Sequence, residues 1–385
     1  MNYIKAFFQS ESAGGISLLS AAILGVLVAN SPMADQYFAT MHIHLGPMTI
    51  LEWVNDALMA LFFLYVGLEI KKEMISGELD TNSKRVLPVL AAFAGVITPA
   101  IVYYFVAGYI PEFRQGWGIP TATDIAFAIG VITMLGNMVS SAMKAFLAAL
   151  AVIDDLIAIV VIALFYGSGV NFMDLIAAAV VTGLLVYTNK QGYLRPLPYC
   201  VLGLVLWYFV LKSGVHATIA GVVLAMTIPF KGKVLDTVVY PMEEWAHALK
   251  NWVNFLIIPL FSFLNAGVSF ADFSMENLFH PVILGVSLGL ILGKQLGIFS
   301  AVYILVQSKA IKMPSNTTWP EIYGTAILCG IGFTMSLFVA TLAFPPGITQ
   351  EMAKVGIFIG SIVAGLLGAV VLILAYQIRK VRGKI

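Results

Sequence analysis

The chain has 385 residues, of which 60% are hydrophobic and only 11% charged, and its mean hydropathy is +0.94. Soluble domains carry about 25% charged residues, so this composition excludes one and describes an integral membrane protein. The net charge of +1 says nothing about partners, because the distribution of charge in such a protein matters more than its sum. No nucleic-acid partner is expected. Cys200 and Cys329 lie in apolar runs and offer no disulfide framework. The sequence has no Walker loop and no glycine-rich turn opening a βαβ unit, which argues against a nucleotide-driven pump and against a bound cofactor.

Taken in order, the chain divides into twelve apolar spans: 13–30, 53–74, 86–108, 118–136, 143–166, 173–188, 196–211, 214–230, 247–270, 281–305, 322–344 and 353–377. The expected fold is all-α, a single transmembrane domain over 1–385, with short polar or Gly/Pro loops. Span one could pass for a signal peptide, but the chain runs on into a second span without a soluble region. Orientation follows from Lys and Arg. With the N-terminus cytoplasmic, seventeen of the 21 basic residues fall in inside loops, from Lys5 to Lys384. Arg114, Lys212 and Lys354 fall outside, and Lys294 lies within a span. This bias places both termini in the cytoplasm. The outer segment His42–Ile50 alternates like a strand around a Gly-Pro turn and reads as a structured loop or an interaction hairpin.

In span two, Asp56 lies near the outer end. Glu69 and Glu73 lie at the inner end beside Lys71 and Lys72, where a partly paired rim is the plain reading. Span four opens Gly118-Ile-Pro-Thr-Ala-Thr-Asp124. Pro120 removes a backbone donor and Thr123-Asp124 is good N-cap chemistry, so a helix interrupted within the membrane is expected here.

The central stretch of span five, Ala145 to Phe165, is about 31 Å long at 1.5 Å per residue, the thickness of the hydrocarbon core. Its only charges are Asp154 and Asp155 at its centre. One acid at that depth costs on the order of 3 kcal/mol, so a pair implies function. In span ten, Lys294 sits deep in an apolar run and needs a carboxylate or a helix C-terminus to stay charged. Asp154 and Asp155 are its obvious partners. Span eleven carries Cys329-Gly-Ile-Gly-Phe-Thr334, a second interrupted run. Two interruptions at corresponding places point to inverted-topology repeats, spans 3–5 and 10–12, with the broken helices crossing near the midplane. His216 and His247, near span ends, read as packing residues or as pH sensors.

Adjacent aspartates on a helix point about 100° apart. One can face a cavity while the other faces a partner, and a carboxylate site holds either a cation or protons. That chemistry fits a secondary transporter exchanging protons for a small cation. A passive channel, an intramembrane aspartyl enzyme and a retinal protein built on Lys294 are the alternatives.

The sequence resembles the NhaA-type sodium/proton antiporters. The resemblance rests on Ala57-Leu-Met-Ala-Leu-Phe-Phe, Gly67-Leu-Glu-Ile-Lys-Lys-Glu73, Thr121-Ala-Thr-Asp124-Ile-Ala-Phe-Ala and Ile153-Asp154-Asp155-Leu. Leu211-Lys-Ser-Gly-Val-His216-Ala-Thr, Asn265-Ala-Gly-Val, Gly293-Lys294 and Cys329-Gly-Ile-Gly-Phe-Thr-Met-Ser336 continue it. It implies a transporter, not an enzyme, that exports Na⁺ or Li⁺ for a larger number of protons across the bacterial inner membrane. It implies that Asp155 binds the ion and that Asp154 is its partner in proton exchange, paired with Lys294 when Na⁺ is absent. Thr123, Asp124 and Lys294 would balance charge at the broken helices. Glu69, Glu73, His247 and Glu244 would form a pH-sensing funnel, and the 42–50 hairpin would join a homodimer. The chain departs from the pattern at Gln295, where proline is expected, and at Ala246, which precedes His247 in place of an acid.

Overall fold

A helix in hydrocarbon satisfies its own backbone, which is why apolar runs of this length fold as helices and as little else. The computed structural model describes residues 11–381 apart from 78, 80, 81, 168, 235, 236, 271–273, 315 and 316. Lys5, Arg382 and Lys384 of the orientation count lie outside the described residues. Each of the twelve expected segments carries a helix. Among the described residues, six are long and apolar enough to cross a membrane, and three helix pairs pass when each bent pair is taken together. The other three are Pro196–Lys212, the nine-residue Ile219–Thr227, and a ninth span built from Pro241–Trp252, Val253–Ile257 and Ile258–Asn265.

Several boundaries differ from those expected. Span twelve begins at Ile348, so Lys354 is not in an outside loop but is a buried helix residue, with Nζ 3.4 Å from the Gly267 carbonyl. Pro345-Pro346-Gly347 is the stop signal that sets this boundary. Span eight is shorter than expected. Its C-terminus is closed by Lys71 of span two, whose ammonium donates to the carbonyls of Met226 at 2.8 Å and Ile228. A cation at a helix C-terminus offsets the partial negative charge there.

The expected outer hairpin is present. His44–Leu45 pairs with Met48–Thr49, Gly46 takes the corner at φ +69°, and the Trp53 indole donates to the Leu45 carbonyl at 2.8 Å. A second small hairpin, Gly232–Val234 with Thr237–Val239, was not expected.

The two interruptions are real. Span four is a 3-10 helix, Pro111–Thr121, then Ile125–Met134, bent by 42°. Span eleven is Trp319–Leu328, then Phe333–Ala343, bent by 43°. Spans three to five and ten to twelve lie seven places apart in the order, so corresponding spans run in opposite directions, as inverted repeats require. Spans three and ten touch nearly backbone to backbone along Gly289, Gly293 and Gly297. A Cβ at Gly293 would lie 2.5 Å from Pro99 Cα, and one at Gly297 would lie 2.3 Å from the Ala94 carbonyl oxygen. Small residues every fourth position allow such approach.

Spans five, eleven and twelve are tied by one buried carboxylate. Glu321, 2% exposed, accepts from the Ser140 backbone N–H at 2.9 Å and from Arg379 Nη1 at 3.2 Å. Ser140 is the N-cap of span five, Ser141–Phe165, so this contact fixes the helix that carries the aspartate pair. Glu321→Ala removes the acceptor of the Ser140 N–H and an ion-pair partner of the mostly buried Arg379. We expect a loss of about 2 kcal/mol, below the ~3–5 kcal/mol of a fully buried pair, read as a melting temperature lower by several degrees in detergent. Glu321→Gln, which keeps an acceptor, is expected to lose less.

Candidate functional site

The two breaks meet each other. Pro120 cannot donate and the chain runs extended through Ala122 and Asp124 before the helix restarts. In span eleven the restart follows Gly330-Ile331-Gly332. Broken helices leave N–H and C=O groups unpaired at depth, and each must find a partner. The Asp124 N–H donates to the Ile331 carbonyl at 2.7 Å, and the Thr123 hydroxyl donates to the Cys329 carbonyl at 2.8 Å. The Ser336 hydroxyl donates in the reverse sense to the Ile119 carbonyl, also at 2.7 Å.

The Asp124 carboxylate serves both restarted helices. Its Oδ1 accepts from the Phe127 N–H of its own helix at 2.9 Å. Its Oδ2 accepts from the Thr334 N–H at 3.1 Å and from the Thr334 hydroxyl. Two partial positive helix ends thus share one formal negative charge. Thr123 and Asp124 are both buried.

Asp154 and Asp155 lie beside this crossing on span five, buried at 1% and 3% exposure. Asp154 Oδ2 is 2.7 Å from the Lys294 ammonium, and Lys294 is fully buried. Of the partners open to Lys294, the structure therefore selects Asp154. The lysine comes directly after a single π-turn, Gly289–Gly293. A turn of this kind widens the helix by one residue and re-aims the side chains beyond it. Gln295, the departure from the expected proline, is buried and leaves helix Lys294–Gln307 intact.

Asp155 turns the other way, as the 100° offset requires, and makes no hydrogen bond or ion pair among the described residues. It lines a cavity of about 990 Å³ with Asp124, Thr334, Glu69, Glu73 and His247. Asp154 and Lys294 lie behind this wall. Glu69 and Glu73, four residues apart and so on one helix face, are half-buried, while His247 at the mouth is exposed. Glu244, one turn before His247, is exposed and lies outside the lining. No group of three or more His, Cys, Asp or Glu side chains forms a metal cluster among the described residues.

Residues 5–372 match the model of the family described as Na⁺/H⁺ antiporter 1. The chain belongs to that family. It is 49% identical over 381 residues to the Na(+)/H(+) antiporter NhaA of Mesorhizobium japonicum, covering 97% of this chain and 95% of the relative. Against the Na(+)/H(+) antiporter NhaA of Caulobacter vibrioides it is 46% identical over 374 residues, covering 97% and 91%. The fold is similar to that of the sodium proton antiporter MjNhaP1 from Methanocaldococcus jannaschii, with a TM-score of 0.59 at 14% identity over 94% of this chain and 91% of that one.

Sequence reasoning missed Glu321 with Arg379, the placement of Lys354, and the Lys71 cap. A signal for the first exists. Thr318-x-x-Glu321 is a capping-box pattern at a helix start. The Lys294–Asp154 ion pair gives this crossing its clearest energetic signature. Lys294→Gln leaves Asp154 buried without its counter-charge, which costs about 3–5 kcal/mol in comparable pairs. The variant is expected to melt well below the wild type, and adding Asp154→Asn should recover a large part of the loss. An unchanged melting temperature for Lys294→Gln would sink the pairing as a stabilising contact.

Proposed function

We propose that this protein is an antiporter that exchanges Na⁺ for protons, with Li⁺ as a second cargo, by competition at Asp155. The observation that carries the reading is the division of the two adjacent acids. Asp154 is neutralised by Lys294 at 2.7 Å, whereas Asp155 faces a large cavity without a counter-ion. A carboxylate oxygen is a hard ligand suited to a small cation, and it holds that cation or a proton but not both. Release of a proton from Asp155 makes room for Na⁺, and reprotonation expels the ion on the other side. The family's name and the relatives' names support the same exchange.

Asp124 stands at the same wall and supplies negative charge close to the cation, while its oxygens remain committed to the restarted helices. That commitment disfavours an aspartyl enzyme, in which two carboxylates must share one proton. Asp154 is the second proton-exchanging group. The pair with Lys294 holds one proton between the two groups; when the cation takes the place of the ammonium at Asp154 that proton leaves, a second one beside that from Asp155, so each cycle exchanges two protons for one cation and moves net charge inward. Glu69, Glu73 and His247 form the entrance, and their charge state sets the local field that a cation meets there. This is our reading of pH regulation. The mouth faces the cytoplasm in the orientation that Lys and Arg prescribe, in the bacterial inner membrane with both termini inside. The exposed hairpin His44–Thr49 serves as the contact between two copies, with lipid covering the rest of the apolar perimeter.

The test is exchange in proteoliposomes with an imposed Na⁺ gradient, following internal pH and membrane potential together. The wild type is expected to couple proton flux to Na⁺ with net charge movement. Uncoupled Na⁺ current would indicate a channel instead, and silence with both ions would favour an enzyme. Asp155→Asn is expected to abolish exchange, a loss on the order of a hundredfold or more, while leaving a folded dimer. Normal exchange by that variant would overturn the ion-site assignment.

A further inference from the structure

The second half of span eleven, Phe333–Ala343, begins at Gly332, which has no side chain to cap it. Its first N–H groups lie at the centre of the protein, away from water, and each needs an acceptor. Asp124 takes only one of them, that of Thr334. The N–H groups of Gly332 and Phe333 both donate to one hydroxyl, Ser361 Oγ of span twelve, at 3.2 and 3.1 Å. Ser361 is 4% exposed. Its neighbour Gly360 holds span twelve against span ten so closely that a Cβ there would lie 2.8 Å from Leu290 Cδ1. The hydroxyl has little room to move.

The placement repeats that of the acid pair. Asp154 follows the N-cap Asp124 by thirty residues, and Ser361 follows the N-cap Gly332 by twenty-nine. The third span of each inverted repeat therefore brings a polar side chain to the crossing in nearly the same register. In the first repeat it is a carboxylate pair, and in the second a neutral hydroxyl.

We propose that Ser361 is a positioning residue for the cation site: by accepting the N–H groups of Gly332 and Phe333 at this helix end, it leaves the Asp124 carboxylate at the cavity wall beside Asp155 instead of drawn into the helix terminus. The proposal rests on the reading of Asp155 as the ion site. Without Ser361, the Gly332 and Phe333 N–H groups lose their acceptor and compete for Asp124, the carboxylate already bound to the next N–H in the same turn. The charge that helps to hold the cation then moves away from it, and cation affinity falls while the transport cycle itself survives.

The experiment measures Na⁺/H⁺ exchange in proteoliposomes across a range of Na⁺ concentrations for the wild type, Ser361→Ala, Ser361→Cys and Ser361→Thr. Ser361→Ala is expected to raise the apparent KM for Na⁺ about three- to tenfold with the maximal rate within twofold of wild type. Thr, which keeps the hydroxyl, restores the wild-type KM, and Cys, a weaker acceptor of similar size, falls between. An unchanged KM in Ser361→Ala, or a lowered maximal rate at constant KM, overturns the proposal. So does a Thr variant no better than Ala. If Ala does not fold, an unchanged KM in the Cys variant overturns the proposal and a raised one supports it. Absence of exchange in the wild type is a different result and sinks the antiporter reading itself.

Discussion

The pairing of Lys294 with Asp154 is the contact on which the rest depends. Neither charge tolerates the interior alone, since an unpaired buried ion costs several kcal/mol even after relaxation. To bring them within 2.7 Å, span ten must approach span three almost to backbone contact, which the stripe Gly289, Gly293 and Gly297 permits. The π-turn just before Lys294 sets its direction. On the other side, span five must be held in rotation, and Glu321 does this through the Ser140 backbone. Once Asp154 is committed to the lysine, the helix geometry leaves Asp155 no choice but the cavity. The place we propose for the ion is thus a consequence of where the counter-charge went.

The crossing of the broken helices supplies the polar surroundings that water would otherwise give. Its donors and acceptors are fixed before any ion arrives, so they need little reorganisation when one does. Thr123 and Ser336 close the two C-terminal ends, and Asp124 with Ser361 closes the N-terminal ends. Because Asp124 bonds to both restarted helices, spans four and eleven cannot shift independently without breaking a buried charged contact. A change in charge at Asp155 is therefore felt by both repeats through one carboxylate.

How much of this could be read from the sequence depends on whether a residue breaks a pattern. The twelve helices, the acid pair, Lys294 and both interruptions were legible, since each is a charge, a proline or a glycine pair where the membrane demands apolar helix. Which acid meets Lys294 was not legible from periodicity. Periodicity gives the angle between Asp154 and Asp155 but not the rotation of the helix as a whole. Lys354 was misplaced because an ammonium near a span end reads as loop until Pro345-Pro346-Gly347 is taken as the true boundary. Glu244 was grouped with His247 by proximity along one helix, yet it lies a turn beyond the mouth and outside the lining. Ser361 left no trace, because one serine among glycines in an apolar span looks like packing.

Charge counting explains why such a site should exchange ions at all. Around the crossing stand three buried carboxylates, Asp124, Asp154 and Asp155, and one buried ammonium, Lys294. The helix ends contribute partial charges of both signs, about half a unit each, and two N-termini are set against two C-termini. They largely cancel. With every group ionised the site carries a formal charge of −2, which the low-dielectric interior does not support. One Na⁺ reduces this to −1, and protons must account for the rest. A bare site and a site holding both Na⁺ and its full complement of protons are therefore both disfavoured, the first by self-repulsion and the second by competition for the same oxygens. What remains is alternation between a cation-bound and a protonated state, which is what the proposed competition at Asp155 requires of an antiporter.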